Sequence, residues 1–369
     1  MFPTIEYLEW IAGRPDAATH DLGSSDLRGS FQHQRGPVPG RLAGLEDPPP
    51  DRGLETQLAD LYEVDEANVL VTAGATTANF VAIATALQHT GPATEEPRPQ
   101  VLVEKPGYEP LRATPQGLGG RVDRFLRPPE DGYPLDPHRV EAALTEDASL
   151  VITTNRHNPS GTVTPTETLA EAAQHAGEEG ARLLVDEVYA PYVTEPTSEG
   201  AFGAPTAAGI ENTVVTGSLT KFMGLGGLRV GWLIADEDFI SQARSVAWHL
   251  PTLAEPSVAL AGRALEHRAE LVPVQRDLLR ANHELLTSFV EEREDLTGSI
   301  PPGSPYGLVE HESVDGDELA ARAWEEYDLL VVPGRFFDRP GAVRLSLGRS
   351  TAHCEDALAV LAELLDTLS

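Results

Sequence analysis

Lysine is scarce in this 369-residue chain: of its 27 Lys and Arg residues, only Lys105 and Lys221 are lysines. A composition that uses arginine almost everywhere keeps one of the two in the glycine-rich run Gly217-Ser-Leu-Thr-Lys-Phe-Met-Gly-Leu-Gly-Gly-Leu-Arg229. A neutral primary amine forms a Schiff base with a carbonyl, and a guanidinium cannot. Lys221, three residues after Ser218 and eight before Arg229, is therefore the candidate nucleophile. Lys105 lacks that setting and reads as structural or solvated. Three further segments hold polar groups that such an amine could use. Thr72-Ala-Gly-Ala-Thr-Thr-Ala opens a helix on a glycine turn, where the backbone at Ala75 and the Thr76 hydroxyl suit a phosphate. Leu183-Leu-Val-Asp-Glu-Val-Tyr ends an apolar run on Asp186, a carboxylate that is costly to bury unless a cation or donor meets it. Asn155-Arg-His-Asn-Pro-Ser-Gly follows a third apolar run, and alone it fits an ordinary turn.

These segments need elements to hold them. Short β-rich runs occur at 68–72, 101–104, 122–125, 150–154, 182–186, 213–217 and 229–235, with helical periodicity between many of them. Helices fit 75–88, 137–147 and 165–177, and long helical patterns follow over 237–294. Strands alternating with helices argue for a mostly parallel sheet covered on both faces. Such sheets place ligands at the carboxyl ends of their strands, where all four polar segments fall. The last ~70 residues mix strands (306–310, 329–332, 342–347) with helices near 316–327 and 354–368. The first ~45 residues, rich in turn formers, read as an irregular arm. The Pro-rich run 91–99 reads as a surface loop.

In order and spacing over residues 54–350, the chain resembles fold-type I pyridoxal-phosphate enzymes of the class I/II aminotransferase family. The matching pieces are Asn155-x-x-Asn158-Pro-Ser-Gly, Asp186-Glu-Val-Tyr189, Ser218-x-x-Lys221 with Arg229, and Arg344-Leu-Ser-Leu-Gly. The resemblance implies an α/β fold. A large cofactor-binding domain (46–250) would carry a mostly parallel, mixed seven-stranded sheet flanked by helices. Residues 1–45 would form an arm and part of a smaller α+β domain, and 251–369 an interdomain helix and the rest of it. The cofactor implied is pyridoxal 5′-phosphate, and the substrates are an L-amino acid and a 2-oxo acid. A homodimer is implied as well.

Each residue role implied by the resemblance has a physical reason. Lys221 would carry the cofactor as a Schiff base and later move the substrate's Cα proton. Asp186 would keep the pyridine nitrogen protonated, because a close opposite charge favours the cation. Asn158 and Tyr189 would hydrogen-bond the phenolic oxygen. Ser218, Arg229, Thr76 and the Ala75 backbone would hold the phosphate, and Tyr108 would stack on the ring. Arg344, with Asn158, would bind the substrate as a planar fork. In the run Ala342-Val-Arg-Leu-Ser-Leu, Val343, Leu345 and Leu347 share one strand face, so Arg344 and Ser346 point the other way. The chain also departs from the family pattern. Arg156 stands where proline is common, no tyrosine occurs in 48–52, and the N-terminal segment matches nothing specific. His20, His33 and His249 read as structural histidines. Decarboxylation (as in threonine-phosphate decarboxylase), racemisation or cyclisation would use the same cofactor residues, and a non-catalytic pyridoxal-phosphate-binding protein would keep many of them.

Charge narrows the field. Asp plus Glu number 58, for a net charge of −31, which disfavours nucleic acid and anionic membrane surfaces as partners. No stretch has the ~18 to 20 apolar residues of a membrane helix, and the first ten residues lack a secretion signal's basic start, so a cytoplasmic location is expected. The single cysteine, Cys354, excludes an internal disulfide, and no Cys/His spacing suggests a metal. A large carboxylate excess with almost no lysine fits a protein of a salt-accumulating cell. Raising KCl from dilute to molar should raise the thermal midpoint and the activity together; greatest stability at low salt would refute the reading.

Overall fold

Apolar runs bounded by turn formers become strands, and the computed structural model describes them within residues 2–29, 37–88, 98–196 and 200–368. Along the chain the strands are β1 (His20–Asp21), β2 (Val69–Thr72), β3 (Gln100–Lys105), β4 (Arg121–Leu126), β5 (Ala148–Thr154), β6 (Arg182–Asp186) and β7 (Thr213–Ser218). They continue with β8 (Gly231–Ile234), β9 (Leu296–Ser299), β10 (Tyr306–His311), β11 (Leu329–Leu330), β12 (Val332–Pro333) and β13 (Ala342–Ser346).

The main sheet has the order β2-β8-β7-β6-β5-β3-β4. Only β8 runs against its neighbours; the remaining pairs are parallel. Successive side chains alternate between two cores, as a pleated strand requires. Val151, Leu183, Val185 and Val215 pack on one face with Leu169, Ala172 and Ala173 of the helix Thr166–Glu178. Leu150, Ile152, Leu184 and Val214 pack on the other with Val81, Ala82 and Phe239. Burial on both faces explains why these strands read as continuous apolar runs. Register then aligns the strand ends: Thr154 pairs with Asp186, and Asp186 with Thr216. The polar segments are thereby gathered on one edge.

A second, antiparallel sheet runs β12-β13-β10-β9 and buries Val309, Val343 and Leu345 with the helices Gly316–Tyr327 and Thr351–Asp366. β1 pairs in parallel with β11, so the start of the chain is stitched to this C-terminal part. Among the described residues, no helix is long and apolar enough to cross a membrane.

Local pattern misjudged several elements. The first 45 residues contain the helices Glu6–Ile11 and Arg14–Ala17 as well as β1, and so are not an irregular arm. Six-residue helices are unstable alone. This one is held by the Glu109 carboxylate, which accepts the N–H groups of Glu6 (3.2 Å) and Tyr7 (2.8 Å). The 329–332 run divides between two sheets, β11 and β12. The helical patterns over 237–294 are present as three helices, Glu237–Ala247, Glu255–Glu266 and Arg268–Glu291. Pro256 sits in the first turn of the second, where a missing N–H costs little. The 137–147 helix stops at Ala143, because Leu144 turns extended. His33 and most of the 91–99 loop lie outside the described residues.

Candidate active site

One cleft of about 200 Å³ opens at the carboxyl edge of the main sheet. Its lining includes Ala75, Thr76, Tyr108, Asn158, Asp186, Tyr189, Ser218, Lys221, Arg229 and Arg344, which are all ten residues singled out in the sequence. Tyr7, Asn79, Thr154, Val188 and Thr220 complete it. Lys105 is exposed and, like His20 and His249, does not line it.

One end of the cleft is built for an anion. The helix Ala75–Gln88 starts directly after β2, and its first turn leaves N–H groups without intrahelical partners. The turn passes through Gly74 at φ +87, where a Cβ would sit 2.7 Å from Arg229 Nη2. Only glycine allows both that backbone and that approach. Ser218 ends β7 and Arg229 sits in the turn before β8, so a hydroxyl and a guanidinium join the helix start.

In the middle, Asp186 ends β6. Its Oδ2 accepts from Asn79 Nδ2 at 2.8 Å and its Oδ1 from the Val188 N–H at 3.1 Å. Thr216 orients Asn79 by donating to its Oδ1 at 2.7 Å. Burial pushes the Asp186 carboxyl above the usual carboxylate range, against those two hydrogen bonds. A carboxylate so placed would be relieved by a protonated ring nitrogen. Lys221 shows the opposite balance. Burial opposes its charge, but Tyr189, Asp26 and Tyr7 outweigh that and hold the ammonium above its ordinary pKa.

At the far end, Arg344 is 1% exposed. Nη1 donates to Asn158 Oδ1 at 2.9 Å and Nη2 to the Tyr7 hydroxyl at 3.4 Å, while Nε has no partner. The guanidinium lies 4.5 Å from the Phe337 ring centroid and 5.2 Å from that of Tyr306. Among the described residues no carboxylate pairs with it, and a buried cation without an anion is a receptor for one. With Oδ1 committed to Arg344, Asn158 is left with its Nδ2 donors for the cleft.

Beneath this floor lies a buried ion pair. Glu104, at the end of β3, accepts from Arg127 Nη1 at 2.8 Å, the Thr153 hydroxyl at 2.6 Å, and the Thr154 N–H (2.9 Å) and hydroxyl (2.6 Å). Thr154 Oγ1 in turn accepts the Asn158 N–H at 3.0 Å. Arg156, which stands where proline was expected, is buried and donates to the carbonyls of Gly161 (2.6 Å) and Tyr192 (2.7 Å). Burial pulls its pKa down to about 10. It ties the loop shut instead of meeting a ligand.

Tyr7, Asn79, Thr154 and Ser25 were missed. Asn79 lies one helical turn after Ala75, a spacing that would have placed it on the same face. Tyr7 and Ser25 carried no local signal. Away from the cleft, His138, Glu141 and His175 bring ligand atoms within 4.8 Å of one another. They come from two helices, which sequence spacing does not reveal, and two of the three are exposed.

The model of the class I and II aminotransferase family matches residues 42–361. The chain is 26% identical over 297 residues to an aspartate aminotransferase of Streptomyces avermitilis, covering 77% of this chain and 71% of that one. It is 25% identical over 277 residues to capreomycidine synthase of Streptomyces vinaceus, covering 73% and 69%. Among solved structures, a PLP-dependent aminotransferase from Streptococcus suis matches with a TM-score of 0.84 at 23% identity, covering 100% of this chain and 99% of that one. The chain belongs to the class I and II aminotransferase family. It is a pyridoxal-phosphate-dependent aminotransferase. A buried Asp186 hydrogen-bonded by neutral donors would suit a protonated ring nitrogen, and a buried Arg344 that meets no carboxylate among the described residues would suit a carboxylate.

The Glu104 pair predicts a stability effect. Glu104→Ala leaves Arg127 buried and uncompensated, and should cost roughly 3–5 kcal/mol in denaturant unfolding. A loss under ~1 kcal/mol, the scale of an exposed pair, would mean that the pair does not support the site.

Proposed function

We propose that the ten residues divide the work of amino-group transfer between an L-amino acid and a 2-oxo acid. The observation that carries this is one amine, Lys221, in a cleft it shares with a buried acid hydrogen-bonded by neutral donors and a buried cation that meets no carboxylate among the described residues. Bound pyridoxal 5′-phosphate supplies an aldehyde for amines and a protonated ring that accepts the electron pair at the substrate's Cα. Lys221 Nζ would hold that aldehyde carbon and would move the proton at the substrate's Cα. Asp186 would keep the ring-nitrogen proton in place. Asn158 Nδ2 and the Tyr189 hydroxyl would donate to the phenolic oxygen. Thr76, Ser218, Arg229 and the Ala75 N–H would hold the phosphate. Tyr108, set edge-on to Tyr7 at 5.8 Å, bounds the ring pocket. Arg344 receives the substrate carboxylate, and Tyr7 closes over it from the N-terminal helix. The acidic surface supports a cytoplasmic enzyme in a salt-rich cell.

The functional unit we propose is a C2 dimer. Trp248 is 82% exposed and Val258 37%, close to the start of the phosphate-binding helix along a groove they share with Thr72, Ala73 and Thr77. A surface of that kind suits a second copy. The mass in solution should be twice 39.6 kDa, and a fully active monomer would refute the dimer.

Two substitutions separate the roles. Lys221→Ala should abolish turnover and borohydride-trapped cofactor while phosphate-site binding persists; a trapped adduct would point to Lys105. Arg344→Lys keeps the charge but loses the fork. It should raise KM for amino and oxo acids alike, lowering kcat/KM by ~2–4 kcal/mol with cofactor affinity unchanged. A panel of amino donors, read by conversion of the cofactor to its amine form, identifies the substrate.

A further inference from the structure

Ser25 lies in the loop after β1 and is 2% exposed. Its Oγ is 2.6 Å from the Tyr189 hydroxyl and 3.4 Å from Lys221 Nζ. The loop is clamped on both sides of the catalytic lysine. The Ser25 carbonyl accepts from the Tyr192 hydroxyl at 2.7 Å, and the Leu27 N–H donates to the Lys221 carbonyl at 2.9 Å. The hydroxyl is therefore held at one place between the amine and the phenol.

Counting protons gives the chain a direction. A lysine ammonium has three donors and no acceptor, whereas each hydroxyl has one proton and two lone pairs. With the Tyr189 proton donated to the cofactor's phenolic oxygen, the 2.6 Å contact exists only if Ser25 is its donor. The lone pairs of Ser25 then face the Lys221 N–H. We infer that Ser25 is a positioning residue in a one-way hydrogen-bond chain: its hydroxyl donates to Tyr189, and it accepts from Lys221 while that amine is free, so that the Ser25–Tyr189 link alone is present once Nζ holds the cofactor. Donation into the Tyr189 oxygen makes its own O–H a stronger donor. The inference rests on the role proposed above for Tyr189. Tyr7, Asp26, Asp186, Tyr189 and Arg344 are the other titratable and charged groups that act on Lys221, and Ser25 substitutions leave them all in place.

The test is a pH titration of the visible absorbance of the full-length, cofactor-loaded enzyme and its variants. Weaker donation leaves the phenolic oxygen more basic and the adjoining lysine nitrogen harder to deprotonate, so the midpoint rises. Ser25→Ala should raise it by roughly half to one pH unit, the worth of one hydrogen bond. Ser25→Gly carries the same expectation should the alanine variant not fold, and Ser25→Thr should keep the wild-type midpoint. Tyr189→Phe should raise the midpoint at least as far, and adding Ser25→Ala to it should add nothing. A shift in Tyr189→Phe without one in Ser25→Ala, or two shifts that add, overturns the role of Ser25 alone. An unmoved midpoint in Tyr189→Phe overturns the role of Tyr189, and the chain with it.

Discussion

The site depends on one buried carboxylate. Glu104 ends β3 below the cleft, and its two oxygens take four hydrogen bonds from Arg127, Thr153 and Thr154. Two charges taken out of water are tolerable only when every lone pair is satisfied, which is the case on this carboxylate. The pair thereby locks the ends of β3 and β5 and the residue after β4 into one register. Through Thr154 it fixes the Asn158 backbone, and through Asn158 it aims Arg344. A hydrophobic substitute could fill the same volume but could not set that chain of directions.

Above this floor, charges stand deliberately unmatched. Among the described residues, Asp186 is hydrogen-bonded by neutral donors, with the Lys221 charge acting on it through space, and Arg344 meets an amide and a phenol and no carboxylate. Each carries a desolvation cost that a group of opposite charge would offset.

The outer surface follows a different rule. With 58 acidic residues, mutual repulsion is large in dilute solution and falls as salt screens it. Arginine serves where lysine would otherwise stand. Its planar fork reaches two backbone carbonyls at once, as Arg41 does at the Met223 and Arg28 carbonyls and Arg156 at those of Gly161 and Tyr192. Against that background the amine of Lys221 is a chemical requirement, because arginine is interchangeable with lysine for charge but not for nucleophilicity.

The motifs show how far sequence reaches. Residues that end a strand, such as Asp186 in β6 and Ser218 in β7, were legible because strand ends and glycine turns leave local signatures. The chemistry of Lys221 was legible because only one amine had the right neighbours. Arg344 was legible as far as its strand face. That the other face was cleft-side and buried was decided by β10 and β12 on either side of it. Tyr7 and Ser25 left no trace in their own surroundings. Tyr7 reaches the cleft because the Glu109 carboxylate, more than a hundred positions away, caps its helix. Ser25 reaches it because β1 pairs with β11 from the other end of the chain. Sequence by itself determined the alternating α/β pattern, the reactive amine and the strand-end acid, all of which rest on periodicity and neighbouring residues. Tertiary structure alone decided which N-terminal side chains close the cleft, since contacts between distant segments depend on how packed elements meet and carry no local period.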